Sequence, residues 1–195
     1  MQGQAKAVLT YNIFESAGNV VVQTSGSLNL TGVNPSTTFN DRCGSGYDGL
    51  ILSASGVICT GPAPASGIPI YDISGPNNFN GTVAAFTASS VSGIFTNLAG
   101  SISSFVIDPA YVSNSTIVSS ATFNGTDLAT LGFTTTGLIG TWTINGTSES
   151  IQVILGAPAA AVPGPLPLFG AAAAFGWSRK LRRRIAAPLS TPPQA

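Results

Sequence analysis

The residues that could support chemistry in this chain are its few acids and its two cysteines, because histidine is absent. Without histidine, neither a Ser-His-Asp nor a Cys-His arrangement can activate a nucleophile. Two carboxylates can hydrolyse a glycosidic bond when they flank it at about 5–9.5 Å. The two glutamates, Glu15 and Glu149, lie near opposite ends of the region before the C-terminal tail. We therefore expect a non-enzymatic protein, with a carboxylate-based glycoside hydrolase as an alternative.

Oxygen-bearing side chains cluster around Cys43, where Asn40, Asp41 and Asp48 occur close together. Carboxylate and amide oxygens suit Ca²⁺, although their spacing here does not match an EF-hand loop. A soft-ligand metal site is not expected, since there is neither a histidine nor a third cysteine. We therefore expect solvated loop carboxylates and no cofactor, with Ca²⁺ in this loop as the alternative.

Cys43 and Cys59 are the two cysteines of the chain. With export expected from the two ends of the chain described below, this even pair predicts a disulfide, and two buried free thiols are the alternative. Closing a loop of this length would stabilise the fold by about 3 kcal/mol.

Charge is scarce and unevenly distributed along the chain. Residues 8–157 hold seven acidic residues and one basic residue, Arg42, which leaves a net charge of −6. Nucleic-acid binding depends on Lys and Arg that neutralise phosphates. This region is therefore not expected to bind nucleic acid.

The elements that must position these residues are short β-strands, because polar and apolar residues alternate with a period of two. In residues 8–16, for example, Leu9, Tyr11 and Ile13 point to one side. Alternation predicts strands at residues 8–16 and 19–31, and short apolar runs predict strands at 49–54 and 56–60. Further strands are predicted at residues 68–73, 101–107, 116–123, 138–145 and 150–155.

The last two predicted strands form a hairpin with a continuous apolar face. The residues expected on that face, towards the core, are Trp142, Ile144, Ile151, Val153 and Leu155. Residues 126–132 predict one helical turn, capped by Thr126 and ended by Gly132 in a left-handed conformation. Residues 86–100 are ambiguous. The fold class is therefore all-β: a single antiparallel β-sandwich, of which a jelly roll is one form, followed by a short C-terminal hydrophobic helix.

Three segments of different character follow one another at the C-terminal end of the chain. Residues 158–165 are rich in proline, residues 166–178 are apolar, and residues 179–195 begin with a basic cluster. A spanning helix needs about 20 apolar residues, so residues 166–178 form a short transmembrane segment at most. Cations beside such a segment stay on the cytoplasmic side, which predicts a basic stop. The residues of this stop are Arg179, Lys180, Arg182, Arg183 and Arg184.

This layout resembles the PEP-CTERM sorting domain of bacterial envelope proteins, in its cyanobacterial VPGP variant. The motif reads Val162-Pro163-Gly164-Pro165, with Gly164 at the position where the family usually has Glu. The resemblance implies export, retention through the C-terminus and cleavage near Pro163 to Pro165 by an exosortase-type membrane peptidase. An ordinary single-pass anchor is the alternative. Residues 11–32, 71–79 and 123–146 also resemble the ectodomains of some cyanobacterial PEP-CTERM proteins, which implies no known enzymatic activity.

The N-terminal residues 1–7 contain Ala5-Lys6-Ala7, the small-x-small pattern that ends a secretory signal peptide. We interpret residues 1–7 as the remnant of a signal-peptide end, with the true start codon upstream. A chance match is the alternative.

These features together predict an extracytoplasmic β-sandwich at residues 8–157, a linker with the sorting motif at 158–165, a short transmembrane segment at 166–178 and a basic cytoplasmic tail at 179–195. We expect an exported protein of the envelope that associates with exopolysaccharide. It would begin as a membrane-anchored precursor and end in the cell envelope or extracellular matrix. The alternative is a polysaccharide-binding module that uses Ca²⁺ or exposed tyrosines. The candidates are Tyr47, Tyr71 and Tyr111, for each of which packing is the competing interpretation.

Overall fold

The fold is described by a computed structural model for residues 7–40, 43, 46–82 and 85–156. These residues form thirteen strands, together with 3-10 helices at Ser53–Ser55 and Gly100–Ile102. The all-β prediction is confirmed. The strands are β1 (Val8–Ser16), β2 (Asn19–Gly26), β3 (Thr37–Phe39), β4 (Leu50–Leu52), β5 (Val57–Thr60), β6 (Ile68–Ser74), β7 (Phe86–Thr87), β8 (Ser90–Gly93), β9 (Thr96–Ala99), β10 (Ser104–Ile107), β11 (Ile117–Asn124), β12 (Gly137–Ile144) and β13 (Ser150–Leu155).

The strands form one hydrogen-bonded path, in the order β7-β4-β5-β9-β10-β6-β12-β13-β1-β2-β11-β8, with β3 paired to β6. The path curls so that its two halves face each other. Strands β12, β13, β1, β2, β11 and β8 are called the β2 half, and strands β3, β6, β10, β9, β5, β4 and β7 are called the β5 half. The halves are joined where β12 pairs with β6.

One strand pair departs from the antiparallel prediction. β1 pairs with β13 in parallel, with Val8 opposite Ser150 and Ile13 opposite Leu155. Parallel neighbours need a long connection between them. Here nearly the whole domain supplies that connection, because these are its first and last strands. The antiparallel prediction is therefore wrong for this pair.

The core lies between the two halves and follows the predicted alternation. Leu9, Tyr11 and Ile13 are completely buried. The predicted β12–β13 hairpin is confirmed, and Trp142 lies opposite Ile151. The Trp142 indole packs edge-to-face on Phe79, with ring centroids 5.7 Å apart. Its Nε1 donates a hydrogen bond of 2.8 Å to a backbone carbonyl, so the buried N–H is satisfied.

A cluster of buried hydroxyl groups connects the two halves. Thr60 of the β5 half lies at its centre. Its Oγ1 is 2.9 Å from Thr24 Oγ1, 3.0 Å from Thr96 Oγ1 and 2.7 Å from Ser119 Oγ. All four residues are at most 1 % exposed. Because buried hydroxyls need partners, this cluster favours one register between the facing halves.

The second predicted strand ends earlier than alternation suggests. β2 stops at Gly26, whose φ of +135° only glycine adopts readily. Beyond it, Leu28 remains buried but leaves the strand ladder. Its backbone N–H donates to Tyr111 Oη at 2.9 Å, and that hydroxyl can donate to Leu28 O at 2.9 Å. A side chain thus replaces the missing strand partner.

The predicted helical turn at residues 126–132 is a hydrogen-bonded turn and not a helix. Gly132 has the predicted left-handed conformation, with φ of +80°. The cap differs from the prediction, because Asp127 Oδ1, and not Thr126, accepts the Thr130 N–H at 2.6 Å. Hydrogen bonding to Thr130 lowers the pKa of Asp127 below its ordinary value.

The predicted strand at residues 101–107 begins only at Ser104. The chain first makes the 3-10 turn Gly100–Ile102 and then places Ser103 at φ of +51°. The ambiguous residues 86–100 contain three strands, β7, β8 and β9.

The predicted sorting motif, transmembrane segment and basic tail lie outside the described residues, as do residues 1–6. Within residues 7–40, 43, 46–82 and 85–156, no helix is long and apolar enough to cross a bilayer.

Candidate functional site

The predicted disulfide between Cys43 and Cys59 is confirmed, with a Cα–Cα distance of 6.1 Å. Cys59 lies in β5, and Cys43 lies in the connection between β3 and β4. The backbone N–H of Cys43 donates to Tyr47 O at 3.1 Å. The disulfide therefore fastens the segment that carries Tyr47 to the outer side of β5.

The oxygen-bearing residues around Cys43 are used to hold a neighbouring loop. Asp48 Oδ1 accepts the Ala63 N–H at 3.2 Å, and Asn40 Oδ1 accepts the Gly67 N–H at 2.9 Å. Asp41, the third residue of the predicted Ca²⁺ alternative, lies outside the described residues. In the part of the chain that the structure describes, no three His, Cys, Asp or Glu side chains gather at one point.

A polar cleft lies beside the disulfide, between residues 46–49 and residues 88–91. Its volume is about 270 Å³, and its walls include Tyr47, Asp48, Ser89 and Ser90. Tyr47 is 45 % exposed, so its ring is accessible from solvent. The polar cleft thus combines an accessible aromatic ring with hydroxyl groups on the opposite wall.

Backbone contacts bring the two walls of the polar cleft together. The Ala88 N–H donates to Gly49 O at 3.0 Å, next to the pairing of β4 with β7. Gly49 is required at this approach, since a Cβ there would lie 2.6 Å from both Ala88 Cβ and Val91 Cγ1. The Ser89 N–H donates to Thr122 O at 2.7 Å, which ties the same wall to β11.

The three tyrosines considered for sugar stacking have different surroundings. Tyr71 is 9 % exposed and belongs to the core, where burial raises the pKa of its phenol. Tyr111 is bound through its hydroxyl to Leu28. Tyr47 is the candidate with an accessible ring.

The two glutamates occupy different environments at opposite ends of β1. Glu149 is buried, and its Oε2 accepts the Asn29 N–H at 2.9 Å. Glu15 is exposed, and its Oε1 accepts the Leu128 N–H at 2.8 Å. Glu149 precedes Ser150, which lies opposite Val8. Because β1 and β13 are parallel, Glu149 lies level with Ala7, eight residues before Glu15. At about 3.3 Å per residue, this separates the glutamates by roughly 26 Å. A glycosidase pair needs about 5–9.5 Å, so these two carboxylates do not form one.

Ser89 and Ser90 were not predicted as site residues. They belong to the ambiguous stretch of residues 86–100, where no regular period reveals a strand. Their approach to Tyr47 depends on the pairing of β4 with β7, which joins distant parts of the chain. Local sequence therefore contains no signal that these residues line the same cleft as Tyr47.

The predicted sorting residues Val162, Pro163, Gly164 and Pro165 lie outside the described residues, as do the five cations of the basic stop. Comparisons of the chain with protein-family models, curated proteins and solved structures give no match.

Proposed function

We propose that this chain is an exported, non-enzymatic protein of the cell envelope, sorted through its C-terminus and cut by an exosortase-type membrane peptidase. The observation that carries the proposal is the Cys43–Cys59 disulfide. Disulfides persist in oxidising compartments and are rare in the bacterial cytosol. The disulfide thus supports export, and the order of sorting motif, apolar segment and basic stop supplies the means of retention.

Two sets of variants test the sorting step. In the first, Pro163→Ala and Pro165→Ala together remove the rigid part of the motif but leave the apolar segment and the cations. We expect an anchored, uncut precursor, because the peptidase loses its recognition element. Pro192→Ala with Pro193→Ala is the matched control and should be processed normally.

The second set removes the basic stop. Replacing the five cations Arg179, Lys180, Arg182, Arg183 and Arg184 by Gln should release or mis-sort the precursor, since the cytoplasmic charges no longer hold the apolar segment. Intact-mass measurement of membrane and extracellular fractions reads out both sets. Normal processing of the motif variant, or correct retention of the charge variant, would contradict the sorting proposal.

A second candidate function is polysaccharide binding by a β-sandwich module formed by the two facing halves. The exposed ring of Tyr47 in the polar cleft favours it. A tyrosine presents a flat apolar face that can cover the apolar face of a sugar ring. The hydroxyls of Ser89 and Ser90 would then bond sugar hydroxyls. The net charge of −6 over residues 8–157 favours a neutral polymer, because polyanions would be repelled.

Binding of the full chain to a panel of neutral and acidic polysaccharides tests this candidate. Tyr47→Ala should weaken binding about 3- to 10-fold through loss of the ring contact. Tyr47→Phe keeps the ring and should retain most of the affinity. Repeating the measurement with EDTA distinguishes stacking on Tyr47 from binding through a Ca²⁺ ion at Asp48. Only Ca²⁺-dependent binding would be lost with EDTA. Equal binding by the Ala variant and the wild-type chain would exclude the polar cleft.

A further inference from the structure

The outer face of the β5 half is apolar, although it faces away from the core. In β5, β9 and β10 the register sets Ile58, Leu98 and Phe105 side by side towards the core. Strand alternation therefore turns the next set of neighbours, Cys59, Asn97 and Val106, to the opposite face. Both faces of this half thus carry apolar side chains.

A groove with a volume of about 190 Å³ runs over this outer face. We call it the outer groove. Its walls include Leu52, Val57, Ala99 and Val106, and Cys43 of the disulfide also borders it. Ile102 lies at its rim and is 74 % exposed. Removing such an apolar surface from water is favourable, so an apolar molecule would displace the water from the outer groove.

Two buried polar residues, Asn97 and Ser104, interrupt the apolar wall of the outer groove, and Asn97 is the one with an unpartnered polar atom. Asn97 is 8 % exposed, and its cross-strand neighbours are Cys59 and Val106. Among the residues that the structure describes, no group donates a hydrogen bond to its buried Oδ1. An acceptor left without a partner in this way costs about 1–3 kcal/mol. An apolar residue would fit this position better if packing were its only role.

We infer that the outer groove binds a small apolar molecule that carries a single hydroxyl or N–H donor, and that Asn97 Oδ1 accepts this hydrogen bond. The size follows from the volume, since an apolar cavity of about 150 Å³ accepts benzene. A substituted benzene ring therefore fits the groove. The apolar wall supplies affinity, and Asn97 selects for the donor. This inference does not depend on the sorting proposal or on the polar cleft.

The test compares two probes that differ by one hydroxyl, 4-ethylphenol and ethylbenzene. Each is titrated into the ¹⁵N-labelled full chain, and backbone amide shifts are followed at Asn97, Ala99 and Val106. Shifts at these three amides report binding of the probe in the outer groove. They distinguish it from binding of the probe to the C-terminal apolar segment. Both probes should shift them, because both fill the apolar volume.

Two variants separate the contributions of polarity and volume. Asn97→Leu removes the acceptor at similar size. The ratio of the two dissociation constants should then change by about 3- to 10-fold in favour of ethylbenzene, because only the phenol loses a hydrogen bond. Val57→Phe fills the groove and should abolish both sets of shifts, while Val112→Phe, at an exposed site elsewhere, should preserve them.

Each outcome bears on the inference. A changed ratio in Asn97→Leu, together with loss of binding in Val57→Phe, supports it. Absence of groove shifts with either probe in the wild-type chain overturns it. An unchanged ratio in Asn97→Leu overturns the role of Asn97. Should Asn97→Leu fail to fold, Val57→Phe and the wild-type titrations still decide whether the outer groove binds.

Discussion

Removing the Cys43–Cys59 disulfide should destabilise the domain by an amount set mainly by the loop that it closes. The sequence separation is 16 residues, for which loop closure contributes about 3 kcal/mol. Cys59 is also completely buried in a small cluster with Leu50, Phe95 and Val106. Truncating it to alanine adds a packing loss of about 1 kcal/mol.

Two variants separate these contributions. Cys43→Ala breaks the bond and removes the Cys43 sulfur from the buried cluster, whereas Cys43→Ala with Cys59→Ala removes both sulfurs; reduction of the wild-type chain breaks the bond and keeps both. For a domain of this size, about 3 kcal/mol corresponds to a fall in Tm of roughly 6–12 °C. The double variant should fall by a few degrees more.

Calorimetry with and without dithiothreitol gives the internal control. Reductant should lower the Tm of the wild-type chain towards that of Cys43→Ala and should leave the double variant unchanged. A loss of less than about 1 kcal/mol in Cys43→Ala would refute the reasoning, because the bond would then contribute little constraint.

Three further substitutions test the interior. Thr60→Val removes the central hydroxyl of the buried cluster, so it should lower the free energy of unfolding by about 2–3 kcal/mol in denaturant titration. The exposed control Ser92→Ala should change that free energy by less than about 0.5 kcal/mol. Tyr111→Phe leaves the Leu28 N–H without its acceptor and should cost about 1–3 kcal/mol by the same assay; an unchanged midpoint would contradict the proposed bond. Burial raises the pKa of Tyr11 above its usual range. Stability should therefore be constant as pH approaches about 10 and fall above it as the unfolded chain ionises, and Tyr11→Phe should reduce that fall.

Alternation predicted the long strands because their side chains face a core on one side and solvent on the other. β1, for example, spans the predicted residues, and the core faces of β12 and β13 are as predicted. The short strands β3, β7 and β8 were missed because their residues form neither an apolar run nor an alternation, whereas β4 and β5 are as short but lie in apolar runs. Their positions are decided by pairing with longer strands, which is tertiary information.

The candidate site also has one part that the sequence predicted and another that depends on tertiary structure. The disulfide could be predicted from an even pair of cysteines and the expectation of export, but the polar cleft and the outer groove could not be predicted. Asp48 and Asn40 show why the surroundings of a residue are hard to predict. In the sequence, their side-chain oxygens are candidate Ca²⁺ ligands. In the structure they accept the backbone N–H groups of Ala63 and Gly67 and so hold that loop in place. Whether such an oxygen binds a cation or accepts a backbone hydrogen bond depends on which groups the fold places beside it.

The intact mass of the mature protein isolated from the envelope or the extracellular fraction, without reduction, tests the proposed export and sorting most directly. The account predicts a chain that lacks residues 167–195 and is lighter by the two hydrogens of the Cys43–Cys59 disulfide. A full-length chain that still ends at Ala195, with both thiols free, would contradict it.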